Sequence, residues 1–288
     1  MIPGTFDYHR PTELSEAIGL LGRLDADARV IAGGHSLIPM MKLRLAAPSH
    51  LIDLAAIAEL KGVRVEGAEI VIGAMTTQHE IIADEILATR APILKEAALQ
   101  IADPQVRYVG TLGGNVANGD PGNDMPALMM ALDAHFVLSG PKGDRSVAAR
   151  KYYNGPYDTA ALPGEILTAV RFQAPAAGHG YAYEKLKRKV GDYATAAAAV
   201  VLTVSAGQIA TCSIALTNVG DTALEAAAAA QAVVGSTLDK ASLSQAVAAA
   251  EAITAPAADG RGSAEYRTKM AGVMTARALR RAFARATA

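Results

Sequence analysis

Hydrophobic positions along this chain change period several times, and each change marks an element. Leu14, Ala17, Ile18, Leu21 and Leu24 recur at helical spacing behind Pro11-Thr12-Glu13. Thr12 is placed to cap that helix, and Glu13 and Glu16 favour its positive end. Val30-Ile31-Ala32 reads as a short strand, Leu37 to Leu45 as a helical turn and His50 to Leu54 as a strand. Gly62 to Val65 and Ile70 to Gly73 are two more strands, parted by Glu66-Gly67. Helical spacing returns over Gln78 to Ala88 and Ile93 to Ile101, with Pro92 between them and Asp103-Pro104 as a stop. Asp124 is placed to cap a helix through Met125 to Ala134, with Pro126 in its first turn. Phe136-Val137-Leu138 and Ile166 to Phe172 read as strands.

Beyond the small-residue linker Ala174-Pro175-Ala176-Ala177-Gly178 the character of the chain shifts. The uncharged stretch from Tyr193 to Gly220 is long enough to raise the question of a membrane span. Its polar residues and its alternation (Val200, Leu202 and Val204, then Gly207-Gln208, then Ile214 and Leu216) predict two antiparallel strands and a turn instead. The alanine-rich residues 223–258 predict two helices around Gly235-Ser236-Thr237-Leu238. A last helix from Ala264 to Ala286 carries Arg277, Arg280, Arg281 and Arg285. The main boundary is placed near residue 177: a domain over 1–177, with subdomains of about 1–74 and 75–177, and a second domain over 178–288.

Composition narrows the function. The chain has 288 residues, enough for two cores, and a formal charge of −1, which gives no electrostatic footprint for nucleic acid. One cysteine, Cys212, cannot form an intramolecular disulfide, hold an iron–sulfur cluster or build a structural zinc site. The N-terminus lacks the basic and apolar regions of a signal peptide, so a cytoplasmic location is expected. The six histidines show no paired metal-ligand spacing, and no nucleophile–base arrangement is visible, so neither a metal nor a catalytic residue is assigned.

Two glycine signatures carry the chemistry: Ala32-Gly33-Gly34-His35-Ser36 and Thr111-Leu112-Gly113-Gly114-Asn115. Paired glycines free the backbone and remove the Cβ that would hold a ligand away, and successive N–H groups can form a phosphate nest. Either motif alone is explained by a plain turn. Two of them from distant parts of one chain suit an extended diphosphate. No helix-leading GxGxxG and no Walker lysine is present, which disfavours a Rossmann site and an NTPase.

With Asp120-Pro121-Gly122-Asn123-Asp124-Met125-Pro126 downstream, these motifs resemble the FAD-binding subunit of the molybdenum hydroxylases, the xanthine dehydrogenase family. The resemblance covers nearly the whole chain. It implies an α+β fold: a vanillyl-alcohol-oxidase-like (PCMH-type) FAD-binding domain of two α+β subdomains, plus a C-terminal α+β domain over the isoalloxazine. It implies FAD contacts from Ala32, Gly33, Gly34, His35 and Ser36, and from Thr111, Leu112, Gly113, Gly114 and Asn115. Asp124 matches an aspartate near the ribose and adenine, although helix capping accounts for it equally well. Ile101, Ala102 and Val106 match apolar positions beside the ring or adenosine, and Leu167 one near the dimethylbenzene or adenine. Lys185 matches a lysine at the pyrimidine edge, where a cation would favour the reduced flavin, and Tyr193 a residue packing on the ring. For this charged segment a solvated basic face is the plainer reading. Asp120 departs from the family pattern, which has a small hydroxyl residue there.

The function so implied is electron transfer. Single electrons arrive from a [2Fe–2S] subunit and leave to an external acceptor such as a quinone, with carbon monoxide as the expected substrate of the assembly. The [2Fe–2S] clusters and the molybdopterin cofactor belong to a small and a large partner subunit, in a dimer of heterotrimers that associates with the inner face of the membrane. An aldehyde or N-heterocycle dehydrogenase using NAD, a free-standing flavin oxidase and a scaffold that has lost FAD are the rivals.

Overall fold

The computed structural model describes residues 2–288. The first layer is a three-stranded parallel sheet, β1 (Asp7–His9), β2 (Ala28–Ile31) and β3 (His50–Asp53), in the order β1-β3-β2. Helix α1 (Leu14–Leu24) buries Ala17 and Leu20, and α2 (Leu37–Lys42) follows the first glycine signature. Thr12 does not cap α1. The N-cap is Glu13, without a side-chain cap bond, and the Glu16 carboxylate reaches back to accept from the Thr12 backbone N–H at 3.3 Å.

Strands β4 (Val63–Glu66) and β5 (Glu69–Gly73) lie where the hydrophobic pattern places them, but they do not pair with the first sheet. They form one edge of a second sheet with β6 (His135–Gly140), β7 (Gly143–Ala148) and β10 (Ile166–Gln173), ordered β4-β5-β10-β6-β7. Between β5 and that sheet's later strands come α3 (Gln78–Ala83), α4 (Glu85–Arg90), α5 (Ile93–Ala98), α6 (Pro104–Val109), α7 (Leu112–Ala117) and α8 (Asp124–Ala131). After them come β6 (His135–Gly140), β7 (Gly143–Ala148), the small pair β8 (Tyr153–Gly155) and β9 (Asp158–Thr159), and the long β10 (Ile166–Gln173). The continuous helix expected over 78–88 is broken at Asp84, whose carboxylate caps α4 by accepting from the Leu87 N–H at 2.9 Å. Asp103-Pro104 is a start as well as a stop: Asp103 caps α6 with Pro104 in its first turn.

The remaining chain folds on β11 (Gly180–Leu186), β12 (Ala196–Ser205), β13 (Gln208–Thr217) and β14 (Leu224–Glu225), an antiparallel sheet in chain order. β12 and β13 are the expected hairpin, turned at Ala206-Gly207, both with positive φ. Short α9 (Ala227–Gln231), α10 (Lys240–Ala252) and α11 (Ala264–Ala286) pack their small residues on it; the buried Ala198, Val200, Leu216, Ala246, Ala271, Ala278 and Leu279 belong to one core. Alanine against alanine lets helix and sheet approach closely. Gly180 marks the tightest point, where an added Cβ would collide with the Ala282 carbonyl. Among the described residues no helix is long and apolar enough to cross a membrane.

Candidate functional site

The first glycine signature packs closely on the second and on the two residues before it. A Cβ on Gly33 would fall on the Val109 carbonyl and 2.8 Å from the Gly110 Cα, and one on Gly114 would stand 3.4 Å from the Ala32 Cβ. Their junction opens into a cavity of about 630 Å³, within the roughly 300–1,000 Å³ of small-molecule sites. Of the residues read from the sequence, Ala32, Gly33, Gly34, His35, Ser36, Ile101, Ala102, Val106, Thr111, Gly113, Gly114, Asn115, Asp124, Leu167 and Tyr193 line it. Leu112 and Lys185 do not. Leu112 is fully buried in the core of the second layer, and Lys185 lies one residue behind the wall, on Asp124.

The two signatures are built differently. Among the described residues, the backbone N–H groups of Gly33, Gly34, His35, Ser36 and Leu37 have no hydrogen-bond partner in the chain. Gly34 sits at φ 74°, a conformation other residues rarely adopt. This turn is the nest the sequence suggests. The second signature is a helix start, in which Leu112 N–H donates to the Thr76 carbonyl, Gly113 to Ala74, Gly114 to the Thr111 hydroxyl oxygen and Asn115 to the Thr111 carbonyl. Its donors are committed within the chain. What it offers the cavity is a wall without bulk, the Thr111 hydroxyl proton and the Asn115 amide NH2, the amide oxygen already accepting from the Met125 N–H at 3.2 Å. Its glycines are needed for packing, since a Cβ on Gly113 would strike Ala74.

Asp124 is a second departure from the sequence reading. It opens α8, but Asn123 is the N-cap and the Asp124 carboxylate caps nothing. It accepts instead from the Tyr183 hydroxyl and, at 2.8 Å, from the Lys185 ammonium, both on β11. Lys185 is 1% exposed and Asp124 6% at the side chain, so this is a sealed pair rather than a solvated basic face. Burial and the neighbouring Asp124 charge hold the Tyr183 phenol well above its ordinary pKa, so it stays a proton donor to the carboxylate. The cavity wall at Asp124 therefore carries a neutralised pair, not an isolated cation.

Other wall residues escaped sequence reasoning. Gln78, 2% exposed, stands in the first turn of α3, with its amide nitrogen and oxygen both buried and unpartnered. The Thr77–Glu80 capping box is legible in sequence and would have put Gln78 at a helix mouth. Glu165 accepts from Arg145 at 2.6 and 2.7 Å, which holds its carboxyl below the usual range. Ala102 has φ 43°, uncommon for a residue with a Cβ and a sign of local strain in the wall. Tyr193 forms the outer wall, its phenol raised by burial and then by Asp120.

Free N–H groups for a polyanion, a buried unpaired amide and long apolar walls fit a dinucleotide with an aromatic end, so the site defines a flavin-binding chain. The description "FAD binding domain in molybdopterin dehydrogenase" matches residues 4–175, and "CO dehydrogenase flavoprotein C-terminal domain" matches residues 181–282. The chain belongs to this FAD-binding molybdopterin dehydrogenase family and has its PCMH-type fold. It is 64% identical over 286 residues to the carbon monoxide dehydrogenase medium chain of Afipia carboxidovorans, covering 99% of each chain. It is 51% identical over 285 residues to the medium chain of the Hydrogenophaga pseudoflava enzyme, again over 99% of each. The reconstituted CO dehydrogenase structure from Oligotropha carboxidovorans superposes with a TM-score of 0.98 at 64% identity, over 99% of this chain and 100% of that one.

Proposed function

We propose that this chain is the FAD-carrying medium subunit of a molybdenum-containing carbon monoxide dehydrogenase. The observation that carries this reading is the run of N–H groups from Gly33 to Leu37, without partners in the chain, in a turn that lines one cavity with the second signature. When bound, FAD supplies a two-electron store that can be filled one electron at a time. The first turn holds the diphosphate through charge-assisted bonds, each worth about 1.5–3 kcal/mol net. Thr111 and Asn115 orient the segment beside it. Ile101, Ala102, Val106 and Leu167 exclude water from the apolar parts. Asp124, neutralised by Lys185, accepts from cofactor hydroxyl or N–H groups without placing a free charge against the ring.

The chain itself oxidises no carbon monoxide in this account. The molybdenum cofactor and [2Fe–2S] clusters reside on a large and a small partner subunit in a dimer of heterotrimers, and a quinone takes the electrons. The division near residue 177 separates the FAD-binding part from the part that covers the ring. A location in the cytoplasm, at the membrane's inner face, follows from the same reading.

Purification of the native complex tests it. The expected result is one FAD for each copy of this chain, copurification of the two partners, and bleaching of the flavin absorbance when carbon monoxide is added. Bleaching by an aldehyde or N-heterocycle and not by carbon monoxide would assign the chain to a sibling enzyme. A colourless complex would end the flavin reading.

A further inference from the structure

Tyr193 lines the cavity and is still 42% exposed, so one side of its ring faces the site and the other the outside. It rests on the turn at Gly122, where an added Cβ would come within 2.7 Å of the ring. On the outside stands Arg261, its guanidinium carbon 5.6 Å from the ring centroid, inside the roughly 6 Å reach of a cation–π contact. Arg261 is itself fixed. Its Nη1 lies 2.7 Å from the Asp259 carboxylate, its Nη2 lies 3.6 Å from that of Asp192, and its backbone N–H donates to Asp259 at 2.7 Å. Asp192, the residue before Tyr193, is also held by Arg188 Nε at 2.9 Å, and Arg188 donates to the Gly260 carbonyl at 2.8 Å. Two crossed arginines thus tie the segment 188–193 to the turn 259–261.

We propose that Arg261 is a positioning residue of the flavin site: stacked on Tyr193 and paired with Asp192, it keeps the cavity's outer wall closed and so sets how fast FAD leaves and how freely small solutes reach the ring. This rests on the cavity being the FAD site. The physical case is that the Tyr193 ring has the Gly122 turn on one side and Asp120 near its phenol, while Arg261 is the partner that ties it to the turn 259–261. Without Arg261 that tie is lost from a segment that carries Gly191, at φ 82°, against Ala102. Arg261 lies in the turn before α11, so it couples the start of that helix to cofactor retention.

The test uses the native complex in four forms: Arg261→Met, Arg261→Lys, Tyr193→Leu and the double variant R261M/Y193L. FAD release is followed after dilution into an excess of a flavin analogue, and access is read by iodide quenching of flavin fluorescence. R261M is expected to speed release about 3- to 30-fold and to increase quenching. R261K, which keeps a cation over the ring but loses the fork, falls between. In the Y193L background R261M adds little, because its partner is already gone. Release and quenching unchanged in R261M, or the same R261M effect with and without Tyr193, would overturn the inference while leaving FAD in the cavity. A wild-type complex without FAD would instead overturn the parent reading and this one with it.

Discussion

Lys185 donates to Asp124 at 2.8 Å across the junction of two cores, from the first strand of the C-terminal sheet to the first residue of a helix in the second layer. The pair ties β11 to the start of α8 beside the cavity. Removing one member leaves the other as an uncompensated buried charge, which costs about 3–5 kcal/mol. Lys185→Met is therefore expected to lower the stability of the chain by that order in urea unfolding, and Asp124→Leu similarly. The double variant should lose much less than the sum. Additive losses would show that the two side chains do not depend on each other.

The glycines give a sharp contrast. Gly33 has no room for a Cβ, whereas Gly22, inside α1, has no neighbouring atom within 4 Å of the position one would take. Gly33→Ala should push the two signatures apart and reduce FAD content of the purified complex at least tenfold, since each lost phosphate bond alone weakens binding roughly 10- to 100-fold. Gly22→Ala should leave FAD content unchanged and raise stability by up to about 1 kcal/mol.

Gln78 makes a third case. Its amide is buried without a partner, a costly arrangement that a bound ligand with donors and acceptors relieves. Gln78→Leu is expected to weaken FAD binding about 5- to 30-fold in a fluorescence titration of the deflavinated complex, with the melting temperature of the cofactor-free form unchanged or raised. Equal loss of stability in both forms would mean that the amide serves packing alone.

Acid sensitivity follows from Glu165. Its carboxyl is held below the ordinary carboxylate value, chiefly by its hydrogen bonds from Arg145. The folded state then binds its proton less readily than the unfolded chain. The stabilisation is fully present above the unfolded pKa and is lost as pH falls through that value toward the folded one. Glu165→Gln should be less stable than wild type at neutral pH, and the gap should narrow in unfolding measured from pH 6 down to pH 3. A constant gap would contradict the assignment.

How much of this was legible in the sequence depends on how local the cause is. The β12–β13 hairpin is legible through alternation and the break at Gly207-Gln208, one residue past the turn at Ala206-Gly207, and the two signatures point to a shared site. Asp124 misled because an aspartate opening a helix normally caps it, while its true partner, Lys185, is 61 residues away. Thr111 to Asn115 reads as a loop because paired glycines disfavour helix. There the Thr111 cap and the need to pass Ala74 without a Cβ override propensity. The sequence places β4 and β5 with the first subdomain and leaves their sheet open, because the pairing of β5 with β10 spans about a hundred residues and leaves no periodic trace.

The most direct test is an experimental structure of the native complex with its cofactor. The FAD diphosphate is expected within hydrogen-bond distance of the N–H groups of Gly33 to Leu37, with the Thr111 hydroxyl and the Asn115 amide NH2 facing it from the second signature. A flavin seated elsewhere, or a diphosphate turned away from that first turn toward solvent, would contradict it.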